Sequence, residues 1–286
     1  MKILALLSFL VLAPLVGGLL SGVDRILSAR LQGRVGPPLL QPFYDVLKLF
    51  EKENIVVRRS QNFYIFFFLI LTVFTGSIFF IGGDLLLVIF AFTLADIFFV
   101  LAGFKASSPY SSIGAKRELI QMVCYEPAIL LTAIGMYMSA GTFSVSGLFG
   151  TTVPIALYLP GILFSFIYIL AIKFRKSPFD LSTSHHGHQE IVKGITTEFS
   201  GKSLATIEIT HWYENIIVLG MLYLFFSFNP ILAICVLALL YFLMIVLDNV
   251  CARLKWQFTL ASSWAVALVF GVGNIIILDF FKGVMK

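Results

Sequence analysis

The stretch His185-His186-Gly187-His188-Gln189-Glu190 holds three of the four histidines in the chain. Imidazoles at this density suit either metal coordination, which needs three or four ligands at fixed geometry, or proton exchange near an ordinary pKa of about 6.5. The spacing argues against a permanent metal site: His185 and His188 share a helical face, His186 and His188 share a strand face, and no regular element presents all three. No cysteine lies nearby. The readings left are a metal-free polar passage or coupling loop and a plainly solvated loop.

A second set of ionisable residues lies inside apolar runs: Asp96, Glu126, Glu208, His211 and Glu214. Glu208, His211 and Glu214 are three residues apart, a slowly drifting stripe of one helix. An ionised side chain at the centre of a transmembrane helix costs at least about 2.5–3.5 kcal/mol on insertion scales, so each invites a functional reading. Buried carboxyl groups can hold and release protons near neutral pH, with His211 as an intermediate, and Glu190 and Glu198 are placed at the mouth of such a path. The competing reading is interhelical pairing that fixes a bundle, for example Arg117 with Glu118 or Asp96. Asp248 near Arg253 and Asp279 near Lys282 read as pairs at helix ends.

The elements that must position these groups are membrane spans. Of 286 residues, 59% are hydrophobic and 12% charged, with mean hydropathy +0.98. Soluble domains run at roughly 45–50% apolar and about 25% charged. Long apolar runs without alternation select helices over a barrel, so the fold class is an all-α integral membrane protein. Eight spans are predicted at about 20 residues each, near 3–24, 62–82, 84–104, 118–140, 153–172, 204–228, 230–250 and 257–281. The run Ile3 to Leu20 is too long for a signal-peptide core and leads into further spans. Cys124, Cys235 and Cys251 are far apart, which leaves no motif for an iron–sulfur cluster or a structural zinc. If the spans alternate, all Lys and Arg fall on one side except Lys2, Lys282 and Lys286. The positive-inside rule then puts both termini outside, with the loops near 25–61, 105–117, 173–203 and 251–256 in the cytoplasm. The pI of about 9.1 fits membrane lipids or an acidic protein surface and calls for no nucleic acid.

In the first of those loops, Gly33, Gly36, Pro37, Pro38 and Pro42 forbid a regular helix at the start. Phe43, Val46, Leu47 and Phe50 then recur at helical spacing, opposite Asp45, Lys48, Glu51 and Lys52, which predicts a short interfacial amphipathic helix. Three blocks, "GRVGPPLLQPFYDVLKLFEKE", "ADIFFVLAGFKASSPYSSIGAKRELIQMVCYEPAILL" and "KSPFDLSTSHHGHQEIVKGITTEFSG", resemble the diagnostic blocks of the NuoH family, subunit 1 of respiratory NADH:quinone oxidoreductase. That family is related to the membrane subunits of energy-converting [NiFe] hydrogenases of the Ech, Mbh and formate hydrogenlyase types. By the resemblance, Arg34, Gly36, Pro37, Gln41, Pro42 and Arg117 form a structural docking loop, and Pro178, Asp180, His185, His186 and His188 belong to a coupling loop.

Two departures from the quinone-reducing pattern resemble the hydrogenase branch. Gly36-Pro37-Pro38 runs almost directly into Leu39-Leu40-Gln41-Pro42, and the segment after Pro178-Phe179-Asp180-Leu181 carries hydroxyls and imidazoles where the respiratory loop is rich in glutamate. The resemblance implies a proton-path and anchor subunit without activity alone. Partner subunits would hold the [NiFe] centre and [4Fe–4S] clusters: hydrogenase large and small subunits, a ferredoxin-like iron–sulfur subunit and antiporter-like membrane subunits. The expected location is the plasma membrane of a prokaryote. A quinone-reducing or sulfur-reducing relative and a secondary transporter are the alternatives, and the inverted repeats a transporter would show are not found.

Overall fold

The computed structural model describes residues 2–55, 59–150, 154–179, 182–183 and 192–284. Asp180, His185, His186, His188 and Glu190 lie outside the described residues. Everything long among the described residues is helical: α1 (Lys2–Leu31), α2 (Gln41–Glu51), α3 (Arg59–Ile81), α4 (Leu85–Lys105), α5 (Pro109–Ala140), the short α6 (Val145–Phe149) and α7 (Ile155–Tyr158), α8 (Pro160–Lys173), α9 (Gly201–Leu224), α10 (Pro230–Val250), α11 (Trp256–Val266) and α12 (Gly273–Val284). A π-helical segment, Ala267–Val272, joins the last two into one run.

A helix stands at each of the eight predicted spans, and among the described residues six are long and apolar enough to cross a membrane. The other two depart for physical reasons. Helix α9 has the length but carries Lys202, Glu208, His211 and Glu214. Helix α8 has only 14 residues, about 21 Å at 1.5 Å per residue, because Pro160 interrupts the run after α7. The amides freed at this break find partners: Gly161 and Ile162 N–H donate to Asn274 Oδ1 of α12 at 2.9 and 3.2 Å. Broken backbone is tolerated at membrane depth when protein satisfies it.

Helix α5 begins at Pro109, well before the predicted 118. Its polar first turns pack against the segment before α9, where Ser111 Oγ donates to Gly103 O and Ile195 O. Pro127 does not break α5. The Val123 carbonyl it leaves without a backbone donor accepts from Trp264 Nε1 at 3.0 Å. Pro14 in α1 leaves Leu10 O in the same position, and Tyr213 of α9 donates its hydroxyl there at 2.8 Å.

The loops sort to two ends of the bundle. At one, the 82–84 turn pairs with the residues before α6 through Leu85 N to Phe143 O and Val145 N to Gly83 O, at 2.9 and 2.8 Å. At the other, Ile55 meets Ser200 and Leu254 N donates to Pro178 O. The second end collects the basic loops. There α2 lies against α1 and α9. Pro42 and Val46 are buried and Phe43 packs on Trp212, while Leu47 and Phe50 face outward. That split suits a helix at a lipid boundary.

Candidate functional site

The charged residues inside the bundle form two hydrogen-bonded sets where α4, α5, α8 and α9 converge. Asp96 on α4 is 2% exposed. Its Oδ2 accepts from the Tyr125 hydroxyl of α5 and from Lys173 Nζ, both at 2.5 Å. Lys173 ends α8 and lies over the Phe92 and Tyr125 rings at 3.8 and 4.4 Å. Aromatic faces and a carboxylate are what make a buried ammonium tolerable.

Two residues on, Arg175 takes a left-handed backbone with φ 54°. That turn sends its side chain back into the bundle. Its Nη2 donates to Glu118 Oε1 at 3.0 Å, and its Nη1 donates to Glu214 Oε2 at 3.1 Å and lies 3.1 Å from His211 Nδ1. The imidazole stands 2.8 Å from the same Glu214 oxygen, with its ring against Phe68 and Phe99. The Ser182 hydroxyl donates to the second oxygen of Glu118. A planar guanidinium can bridge two carboxylates on different helices, whereas an ammonium acts as a point charge.

Of the residues the sequence singled out, Asp96, His211 and Glu214 meet here. Glu126 does not join them. It is half-buried and accepts from Thr93 Oγ1 at 2.7 Å. Glu208 and Glu198 are half-buried and have no hydrogen-bond partner among the described residues. Interhelical pairing does occur, but the cations that meet Asp96 and Glu118 are Lys173 and Arg175, which in the sequence alone look like loop charges. Tyr125 is a further member that sequence reasoning missed. The available signal was three cations, Lys173, Arg175 and Lys176, crowded at the end of an apolar run. The third completes a separate pairing: Lys176 Nζ reaches Asp24 of α1 at 2.7 Å and Asp248 of α10 at 3.6 Å. Asp248 also accepts from Ser177 N, so it anchors the loop as well as ending a helix.

The first loop is built from the residues expected there. The Gly36 backbone passes against Ile26 of α1, Arg34 donates to Gln32, and Pro42 opens α2. Gln41 and Arg25 both donate to Asp45, at 2.8 and 2.5 Å. Partial burial pushes the Asp45 carboxyl up, but those two donors hold it below its ordinary value. Arg117 lines a small crevice with Ile120, Gln121, Trp256 and Thr259. Among the described residues no group of three or more His, Cys, Asp or Glu is placed to hold a metal ion.

An all-helical bundle with paired charges through its interior, and basic loops gathered at one end, defines a multi-pass membrane protein. The chain belongs to the NADH dehydrogenase family, whose model matches residues 1–279. It is 30% identical to formate hydrogenlyase subunit 4 of Escherichia coli over 72% of this chain and 71% of that one. Against a subunit of the NADH-quinone oxidoreductase of Syntrophotalea carbinolica it is 26% identical, over 89% of this chain and 88% of that one. Among solved structures it resembles a chain of the membrane-bound sulfane sulfur reductase, an archaeal respiratory membrane complex. That match has TM-score 0.82 and 25% identity, and covers 97% of this chain and 99% of that one. The protein is a membrane subunit of an oxidoreductase complex.

Proposed function

We propose that this chain is the membrane anchor and proton-path subunit of a multisubunit energy-converting [NiFe] hydrogenase, which couples ferredoxin-linked hydrogen evolution or uptake to proton or sodium translocation. The observation that carries the proton-path part is the pair of buried polar sets at one junction of helices, His211–Glu214–Arg175–Glu118 and Lys173–Asp96–Tyr125. Its carboxyls and imidazole can take up and release protons, while Arg175, which cannot be deprotonated, holds the Glu118 and Glu214 carboxyls in place. Glu190, Glu198 and Glu208 would feed it from the basic end. The coupling loop with Pro178, Asp180, His185, His186 and His188 would lie under the docked redox module.

The likeness to formate hydrogenlyase subunit 4 supports the hydrogenase branch. The partner large and small subunits and a ferredoxin-like subunit would hold the [NiFe] centre and the [4Fe–4S] clusters, docked on the basic loops. Antiporter-like subunits would extend the ion path within a prokaryotic plasma membrane, with both termini outside. A sulfur-reducing complex is the second reading, favoured by the fold likeness to the sulfane sulfur reductase chain. The genes beside this one separate the two: a large subunit with two CxxC nickel-ligating pairs establishes the hydrogenase.

Ion transport by the complex in sealed vesicles tests the path. Glu208→Gln and Glu214→Gln are expected to abolish substrate-driven proton movement, with subunit composition unchanged. Wild-type transport in both variants rejects the path.

A further inference from the structure

Helices α5 and α11 leave a furrow between them on the outer surface of the bundle. Val123 of α5 and Trp256, Gln257, Leu260, Ala261 and Trp264 of α11 line an open groove of about 560 Å³. From Gln257 the α11 members recur at i, i+3, i+4 and i+7, so the groove runs along one face of that helix. Trp256 to Trp264 spans about 12 Å at 1.5 Å per residue. Gln257 is the one polar residue of the six. Both tryptophans are 42% exposed, so the groove leaves wide apolar surface open. Its wall is fixed before anything binds: Trp264 Nε1 donates to Val123 O at 3.0 Å, the carbonyl that Pro127 leaves without a backbone donor.

One end of the groove is basic. Trp256 is shared with the crevice lined by Arg117, whose volume of about 10 Å³ admits one water at most, so a headgroup would stay outside it. Lys116, Ile120 and Val123 lie at i, i+4 and i+7 on α5, which brings Lys116 to the groove side. Lys255 immediately precedes Trp256. Lys116 and Lys255 are exposed and make no ion pair among the described residues. No carboxylate occurs from Cys251 to Val266. The acids of the adjoining elements are engaged elsewhere: Glu118 by Arg175 and Ser182, Glu126 by Thr93, Asp248 by Lys176 and Ser177.

This basic end lies at the level of a membrane surface. The span from Trp256 to Phe280 is about 36 Å long, and α5 from Arg117 to Ala140 is about 35 Å, against a hydrocarbon core of about 30 Å. Both helices therefore enter the headgroup layer near Arg117 and Trp256, a depth that tryptophan favours.

We propose that this groove seats an anionic phospholipid, with one acyl chain along Val123, Leu260, Ala261 and Trp264 and the phosphate against Lys116, Arg117 and Lys255. A guanidinium has five donors, so Arg117 can meet a phosphate while keeping a protein partner. A partner subunit's helix would bury the same apolar face, but it would need carboxylates of its own at the level of the cations. A phospholipid brings its phosphate to that level by construction. A zwitterionic lipid adds a cation that the same side chains repel, so the headgroup selected carries net negative charge. The bound lipid is then a fixed part of the outer wall of the subunit, distinct from exchanging boundary lipid, whichever substrate the complex reduces.

The test uses the intact purified complex, washed free of loosely held lipid and incubated with phosphatidylglycerol bearing a diazirine midway along one acyl chain, or with phosphatidylcholine of identical chains. After illumination, labelled peptides are mapped by mass spectrometry. Peptides containing Val123 and Leu260 to Trp264 are expected to take up the phosphatidylglycerol about tenfold more, the size a few basic side chains facing one anionic headgroup can supply. Lys255→Gln should lower that ratio several-fold, and Lys116→Gln with Lys255→Gln should bring it near one. Ala261→Trp, at an exposed position, fills the groove and should remove labelling there by either lipid while labelling elsewhere in the complex persists. Equal labelling of wild type by the two lipids would mean ordinary boundary lipid and overturns the proposal. Absence of labelling by both would mean that a partner subunit covers this face, and overturns it as well. A ratio unchanged in Lys255→Gln and in the double variant removes the assigned phosphate site, and the single variant decides this even if the double one fails to assemble.

Discussion

Arg175 ties together polar groups of two helices, α5 and α9, through a single guanidinium, and it does so from a left-handed backbone that costs a non-glycine residue about 1 kcal/mol or more. Arg175→Met leaves Glu118 and Glu214 buried without that cation, a loss of about 3–5 kcal/mol for a broken buried pair. The melting temperature of the purified complex is expected to fall at neutral pH. The deficit should narrow as pH falls, because a protonated carboxyl no longer needs the cation. A deficit that is constant with pH would point to lost packing instead. Asp45 behaves differently because it lies at the surface: its carboxyl is held below the ordinary value by Arg25 and Gln41. The stability it adds is present above the unfolded value near 3.8 and is lost only as pH falls through the lower folded value. Proteolysis in the α2 loop should therefore be insensitive to pH from 7 to about 5. At this scale Asp96, His211 and Glu214 were legible, because an ionisable residue in an apolar run is conspicuous. Lys173 and Arg175 were not, because at the end of such a run a cation reads as a snorkelling or loop charge.

At the scale of elements, both interior prolines are accommodated by an aromatic donor from another helix. Tyr213 serves the carbonyl left by Pro14, and Trp264 serves the one left by Pro127. Tyr213→Phe and Trp264→Phe each remove one hydrogen bond, worth about 1 kcal/mol, and each should lower the unfolding midpoint without altering transport. Replacing Pro14 by Ala within Tyr213→Phe should recover most of that loss, since an alanine amide restores a donor to Leu10 O. Absence of recovery would mean that the lost stability does not come from the bond of the Tyr213 hydroxyl to Leu10 O. The helices themselves were legible because span length and breakers are local properties. The early start of α5 and the shortening of α8 were not. The first depends on contacts with the segment before α9, and the second, set at Pro160, is accommodated by Asn274, more than a hundred residues away, which accepts from the freed amides.

At the scale of the molecule, the two ends of the bundle differ in charge and in loop length, an asymmetry from which the positive-inside rule predicts a cytoplasmic basic end. With native cysteines replaced, Ala252→Cys at the basic end should react with an impermeant thiol reagent only when the cytoplasmic face is accessible. Ser146→Cys should react only from the opposite face. The reverse pattern would invert the expected orientation.

The sequence by itself determined the class of fold, the place of a helix at each of the eight predicted runs, six of them long and apolar enough among the described residues to cross a membrane, the collection of basic loops at one end and the family, because apolar length, breaker residues and contiguous motifs are written locally along the chain. Only the tertiary structure decided which charges pair. Lys173 and Arg175 turn inward because of the backbone turn after α8, and because α4, α5 and α9 bring Asp96, Glu118 and Glu214 to the same depth. Coulomb energy in a low-dielectric interior depends on distances of a few ångströms between helices, and no spacing along a single helix specifies those.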